Sequence, residues 1–162
     1  MVRLASGIVD VFAETALTGN PLAVVEGADA ISDATLRRIA REFNQAETTF
    51  ILSSSRADKK LRSFTANGSE VFGAGHNALG AWLWMAERGQ LGALETSQTF
   101  RQEIGSAVLP ISLERRGSQI YGRMKQSPLK LSDPFVGILP LAEALGLSVE
   151  DVCLTPDRKS VV

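Results

Sequence analysis

The sequence holds one cysteine, Cys153, and one histidine, His76, in 162 residues. A single cysteine excludes an internal disulfide. A single histidine excludes a metal site built from several imidazoles, and a Cys/His zinc cluster with it. Any histidine-dependent chemistry passes through His76. The formal net charge is only -1, and no basic tract occurs. Lys59-Lys60 and Arg115-Arg116 are isolated pairs, which removes the electrostatic footprint of a nucleic-acid binder. No apolar stretch reaches membrane-spanning length. The opening Met1-Val2-Arg3-Leu4 lacks the long apolar region of a secretory signal. The expectation is a cytoplasmic protein with neither nucleic acid nor membrane as partner.

What is present suits a packed globular chain. Hydrophobic residues make up 44% and charged residues 22%, far from the composition of a disordered chain. The length fits one domain, or one domain and a fragment of another. There is no internal repeat and no low-complexity segment. Gly7 to Phe12 is rich in β-branched and apolar residues and reads as a strand, as does Leu22 to Val25 after the break at Gly19-Asn20-Pro21. Ser32 is a good helix N-cap. Leu36, Ile39, Ala40 and Phe43 then follow helical spacing, which predicts an amphipathic helix ending near Asn44. Thr48 to Leu52 and Leu61 to Thr65 read as strands joined by the polar loop from Ser53 to Lys60.

The pattern then changes. Ala78, Leu79, Ala81, Trp82, Leu83, Trp84, Met85 and Ala86 form an almost unbroken apolar run closed by Glu87-Arg88-Gly89, which favours helix over strand. A helix apolar on nearly every side must be surrounded. The predicted fold is therefore α+β, a strongly curved, mostly antiparallel sheet wrapped around a central apolar helix. Val108 to Leu113 and Gln119 to Lys125 suggest a hairpin. Ser127-Pro128 and Asp133-Pro134 read as a connector, Leu141 to Leu145 as a short helix, and Ser148 as the cap of another turn. The closing Asp157 to Val162 reads either as the start of a strand or as a frayed tail.

Two features bear on chemistry. Phe72-Gly73-Ala74-Gly75-His76-Asn77 opens the buried helix. A helix start leaves backbone N–H groups unpaired, and glycines before it let a carboxylate or phosphate approach them. His76 at that mouth is able to donate a hydrogen bond or move a proton. The same residues also suit a tight turn whose histidine only packs. The spacing is not that of a dinucleotide fingerprint, which disfavours NAD. The second feature is Glu47, between the amphipathic helix and an apolar strand, where a carboxylate either points into a cleft and exchanges protons or sits on the surface. Glu70 is a further carboxylate near the glycine loop, or a solvated loop charge. Nothing around Cys153 resembles an activating site, and no Gly-x-Ser-x-Gly elbow is present.

Three blocks of sequence, in order, carry a family resemblance. They are Val9-Asp10-Val11-Phe12 with Leu17-Thr18-Gly19-Asn20-Pro21-Leu22-Ala23-Val24-Val25, then Arg41-Glu42-Phe43-Asn44-Gln45-Ala46-Glu47-Thr48-Thr49-Phe50, then Arg62-Ser63-Phe64-Thr65 followed by Glu70 to Gly80. Together they resemble the N-terminal half of PhzF-like (phenazine-biosynthesis) proteins, which share the diaminopimelate-epimerase fold. The resemblance implies two similar halves with the active site between them, and a cofactor-independent isomerase or epimerase that needs neither metal nor organic cofactor. It places the proton carrier on Glu47 and a substrate-orienting histidine on His76. Asn20, Glu70, Gly75 and Asn77 fall on nearby motif positions as candidates for binding a small anionic substrate.

The sequence also departs from the family pattern. Ala66 follows Phe64-Thr65 where proline is frequent, with one extra residue before Glu70, and Asn77 follows His76 where proline is frequent. The Asp-Pro-x-Thr-Gly-Ser-type motif of the family's second half is absent, and Asp133-Pro134 does not match it. The expected organisation is an N-terminal epimerase-like domain over residues 1–127, then a connector and the beginning of a truncated second domain over 128–162. The expected association is a homodimer, or pairing with the missing second half. The other function open to such a half is non-catalytic, a small-anion-binding or dimerisation module.

Overall fold

β1 (Ser6–Val11) pairs antiparallel with β2 (Asn20–Glu26), folded back by a loop that the Asp10 carboxylate ties down. The Thr18 and Gly19 N–H groups donate to Asp10 at 3.0 and 3.1 Å. The computed structural model describes residues 3–73, 75–125 and 138–152. The Ser127-Pro128 and Asp133-Pro134 connector, Cys153 and the closing Asp157 to Val162 lie outside the described residues. The chain divides into two compact units, Met1–Gln126 and Ser127–Val162.

In the first unit α1 (Asp33–Phe43) follows β2, capped by Ser32 and ended by Asn44 in the left-handed region at φ 49°. β3 (Glu47–Leu52) then lies parallel to β2 and antiparallel to β4 (Lys59–Thr65). The two-residue β5 (Glu70–Val71) pairs with β4. α2 (His76–Glu87) comes next, followed by β6 (Gln98–Ile104), β7 (Ala107–Arg116) and β8 (Gln119–Met124). The strand order is β1-β2-β3-β4-β6-β7-β8, with β5 attached to β4. Among the described residues only β2–β3 and β4–β6 are parallel pairs. The sheet is thus mixed but mostly antiparallel, as the sequence pattern predicts.

The sheet curls because α2 packs on both of its end strands, β1 and β8, as well as on β2, β3 and β4. Ala81, Trp82 and Met85 are wholly buried among Val11, Leu22, Ile111 and Leu113. Gly80 permits the close approach, since a Cβ there would meet Leu22 Cδ2 at 2.6 Å and Val11 Cγ2 at 2.7 Å. Gly122 does the same on β8 against Leu79. A second apolar cluster, Val25, Leu36, Ala40, Phe50 and Phe64, lies on the outer face under α1. Strand alternation divides these sets: Ile51 and Leu61 face inward to α2, Phe50 and Phe64 outward to α1.

β6 is not predicted by the sequence pattern, and its inner face explains why. Phe100 stacks on Trp82 at 5.1 Å, and the next inward residue is Gln102, fully buried, accepting a hydrogen bond from Trp82 Nε1 at 2.9 Å. A polar residue at a core position breaks the apolar alternation that marks a strand.

In the second unit α3 (Ile138–Leu145) ends at Gly146, whose φ is 68°. Ser148 caps the following turn, its hydroxyl donating to Asp151 Oδ2 at 2.6 Å. Among the described residues no helix is long and apolar enough to cross a membrane.

Candidate active site

The turn after Asn44 delivers Glu47 as the first residue of β3. Alternation then turns Glu47, Thr49 and Ile51 to the inner face, toward α2. His76 is the first residue of α2. The two meet, with Glu47 Oε2 3.0 Å from His76 Nδ1 and the side chains 20% and 13% exposed. They are close without being aligned as a hydrogen bond. Glu47 Oε2 and His76 Nε2 are both buried atoms with no hydrogen-bond partner among the described residues. An ionised carboxylate only accepts, whereas imidazole both donates and accepts. A carboxylate and an imidazole in contact, each with hydrogen-bonding capacity to spare, form a pair able to exchange protons with a third group. The pair also lies at the N-terminus of α2, where the helix dipole favours negative charge.

The other sequence candidates separate. Gly75 is the N-cap of α2, and its N–H donates to Asn77 Oδ1 at 2.9 Å. Asn77 is only 3% exposed, so its amide holds the glycine loop from inside. Asn20 is exposed at the start of β2. Because β2 and β3 run parallel, Asn20 and Glu47 lie at the same end of the sheet. Glu70 is turned away. It is opposite Phe64 in register, which puts it on the outer face beside α1. Both of its carboxylate oxygens accept from Arg62, at 2.7 and 2.8 Å. Arg62 also donates to Asp33 of α1 at 2.7 Å. The Glu70 and Asp33 carboxylates hold the Arg62 guanidinium more firmly charged, and Arg62 in turn lowers the Asp33 pKa.

Thr49 and Ser63 complete the inner wall and escape the sequence reading. Their hydroxyls are 2.9 Å apart and buried. The available signal is that Thr49 stands two residues after Glu47 in one strand, hence on the same face. Among the described residues no group of three or more His, Cys, Asp or Glu side chains could hold a metal. A separate cleft of about 490 Å³ lies between β1 and β8, lined among others by Phe12, Leu79, Leu83, Ile120 and Tyr121. Neither Glu47 nor His76 lines it.

Comparison with known proteins agrees on one family. Residues 9–135 match the family described as phenazine biosynthesis-like protein. The trans-2,3-dihydro-3-hydroxyanthranilate isomerase of Pseudomonas aeruginosa is 33% identical over 141 residues, covering 86% of this chain and 48% of its own. An uncharacterized isomerase of Bacillus subtilis is 31% identical, covering 82% of this chain and 44% of its own. Among solved structures, a Bacillus anthracis phenazine biosynthesis protein of the PhzF family superposes with a TM-score of 0.80 at 28% identity, over 94% of this chain and 50% of that one. A predicted epimerase of Pseudomonas aeruginosa gives 0.80 at 33% identity, over 93% and 52%. The chain spans about half the length of the curated relatives it matches.

Proposed function

Because the chain belongs to the phenazine biosynthesis-like (PhzF) family, whose matched relatives are named isomerases and epimerases, we propose that it carries the acid–base half of a cofactor-independent isomerase site. The observation that carries this reading is the 3.0 Å contact between Glu47 Oε2 and His76 Nδ1 at the N-terminus of α2. Glu47 takes a proton from a carbon beside an unsaturated or carbonyl-bearing group and returns it elsewhere. His76 orients the substrate through Nε2, which has no partner among the described residues. The helix N-terminus favours an anionic group on the substrate. The remaining wall of the site falls in the part of the relatives' length that this sequence does not span.

The test is proton exchange. The chain is incubated in D2O with trans-2,3-dihydro-3-hydroxyanthranilate, alone and with the separately produced second half of a family member, and deuterium in the recovered substrate or product is measured. Incorporation that requires both halves, and that Glu47→Gln abolishes, supports the reading. Incorporation undiminished in Glu47→Gln removes Glu47 from the mechanism.

A second reading, a self-associating or small-anion-binding module, is favoured by the exposure of Phe12 (71%), Leu17 (95%) and Phe72 (63%). It predicts a concentration-dependent dimer by light scattering and no exchange in either mixture.

A further inference from the structure

Beneath the Glu47–His76 pair lies a closed ring of hydrogen bonds. Asn77 Nδ2 donates to Ser63 Oγ at 3.1 Å. The Ser63 and Thr49 hydroxyls are 2.9 Å apart, and Thr49 Oγ1 donates to the Asn77 carbonyl at 3.3 Å. The directions of the Asn77 amide bonds are determined. The Gly75 N–H can only donate, so the Asn77 atom it meets is Oδ1. The Gly73 carbonyl can only accept, so the atom facing it at 2.9 Å is Nδ2. Either hydroxyl could donate across the 2.9 Å contact; when Thr49 gives its one proton to the Asn77 carbonyl, Ser63 is the donor between them. The ring runs from the Asn77 amide through Ser63 and Thr49 to the Asn77 main chain.

Its position matters as much as its closure. Thr49 is two residues from Glu47 on the same face of β3, and Ser63 is its cross-strand partner in β4. Asn77 follows His76 in the first turn of α2. Both members of the acid–base pair are therefore tied, through near neighbours, to the same buried ring. Thr49, Ser63 and Asn77 are 0%, 3% and 3% exposed, so the ring is shielded from bulk water. The Asn77 amide also grips both Gly73 and Gly75, which fixes the loop that aims His76.

We propose that Asn77, Ser63 and Thr49 are the positioning residues of this site, holding the His76 imidazole with Nδ1 toward Glu47. Their part in proton transfer rests on the isomerase reading, whereas the orientation they impose does not. The orientation can be measured without substrate. His76 is the sole histidine, so its ring signals in a ¹⁵N NMR spectrum assign themselves, and those signals report which nitrogen bears the proton. In the native chain, with the neutral ring, the Nδ1–H form is expected to predominate. Asn77→Asp keeps the shape but, when ionised, removes both side-chain donors. Ser63→Ala breaks the ring. Both are expected to move the ring toward the tautomer balance of free histidine, which favours Nε2–H. Thr49→Val is expected to do the same, and Thr49→Ser to keep the native balance.

Native tautomer balance in folded Asn77→Asp or Ser63→Ala overturns the proposal, even if unfolding temperatures fall, since that is what a purely structural ring would do. A native chain without Nδ1–H predominance overturns it as well. Should Asn77→Asp and Ser63→Ala fail to fold, the Thr49→Val and Thr49→Ser pair decides. Equal spectra from those two reject the proposal, and divergence in the stated sense supports it. No substrate enters the measurement, so failure of the isomerase reading leaves its outcome unchanged.

Discussion

Glu47 and Glu70 lie one step apart in register, opposite Thr65 and Phe64 of β4, yet on opposite faces of the sheet. The inner carboxylate meets His76, while the outer one is fully engaged by Arg62. The two substitutions should therefore separate. Glu47→Gln is expected to lower deuterium exchange by at least about 100-fold, the ordinary contribution of a positioned acid or base, with little change in stability. Glu70→Gln is expected to leave exchange within a few-fold and to lower stability by about 1–3 kcal/mol, the usual range for a charged hydrogen-bonded contact that is removed. Urea unfolding and the exchange assay, run on both variants, check the pair. Equal loss of exchange in both would place Glu70 in the site after all.

The buried Gln102 makes a prediction of a different kind. Its side-chain carbonyl is the acceptor for Trp82 Nε1 at 2.9 Å in a fully buried setting. Gln102→Met keeps the length and apolar packing but leaves the indole N–H without its acceptor. The expected loss is about 1–3 kcal/mol, the penalty of an orphaned buried donor. It should be read as a lower urea midpoint at unchanged slope. A midpoint within error of the native one would mean that the indole finds another acceptor.

This same glutamine shows where the sequence stops being legible. Apolar periodicity marks α1 and α2 because their buried sides are made of Leu36 and Ala40, or of Ala78, Ala81, Trp82 and Met85. β6 has Gln102 at an inward position, and β5 is two residues long, so neither leaves a pattern. In the site, Glu47 and His76 are legible as residue types at an element's start. Their contact is not, because it depends on β3 and α2 being packed together by the whole inner core. The outward turn of Glu70 is hidden for a related reason. It follows from the β4–β5 register, which two residues of strand cannot announce.

The entry to α1 offers a local test. Ser32 Oγ accepts from the Thr35 N–H at 3.4 Å and lies 3.0 Å from Thr35 Oγ1. Ser32→Ala should cost about 0.5–1 kcal/mol, toward the low end for a helix cap because this bond is long. α1 covers Phe50 and Phe64 rather than the inner face. The loss should therefore appear in thermal unfolding and leave the His76 ring spectrum unchanged. A shifted ring spectrum would show that α1 communicates with the site across the sheet.

Acid should weaken the fold through carboxylates remote from Glu47 and His76. The Glu103 pKa is lowered from 4.5, first by the Ser54 hydroxyl at 2.6 Å and then, against a smaller effect of burial, by Lys60 and Arg56. Asp33 is lowered from 3.8 by Arg62, and Glu114 from 4.5 by Arg116 and Arg123. A lowered pKa means that the folded chain binds the proton less readily than the unfolded one. The stabilisation is then complete above the unfolded values, and it is lost as pH falls through the lower folded ones. Urea midpoints should be flat from neutral pH down to about 5 and fall steeply below about 4. Arg62 does not contribute to this slope, because its pKa is raised from an already alkaline value and its charge persists throughout. Glu103→Gln should lower the neutral midpoint and shallow the acid slope together, since one lowered carboxylate is the source of both. A lower neutral midpoint with the acid slope intact would show that the Ser54 contact stabilises by packing, and that the proton sensitivity resides at Asp33 and Glu114.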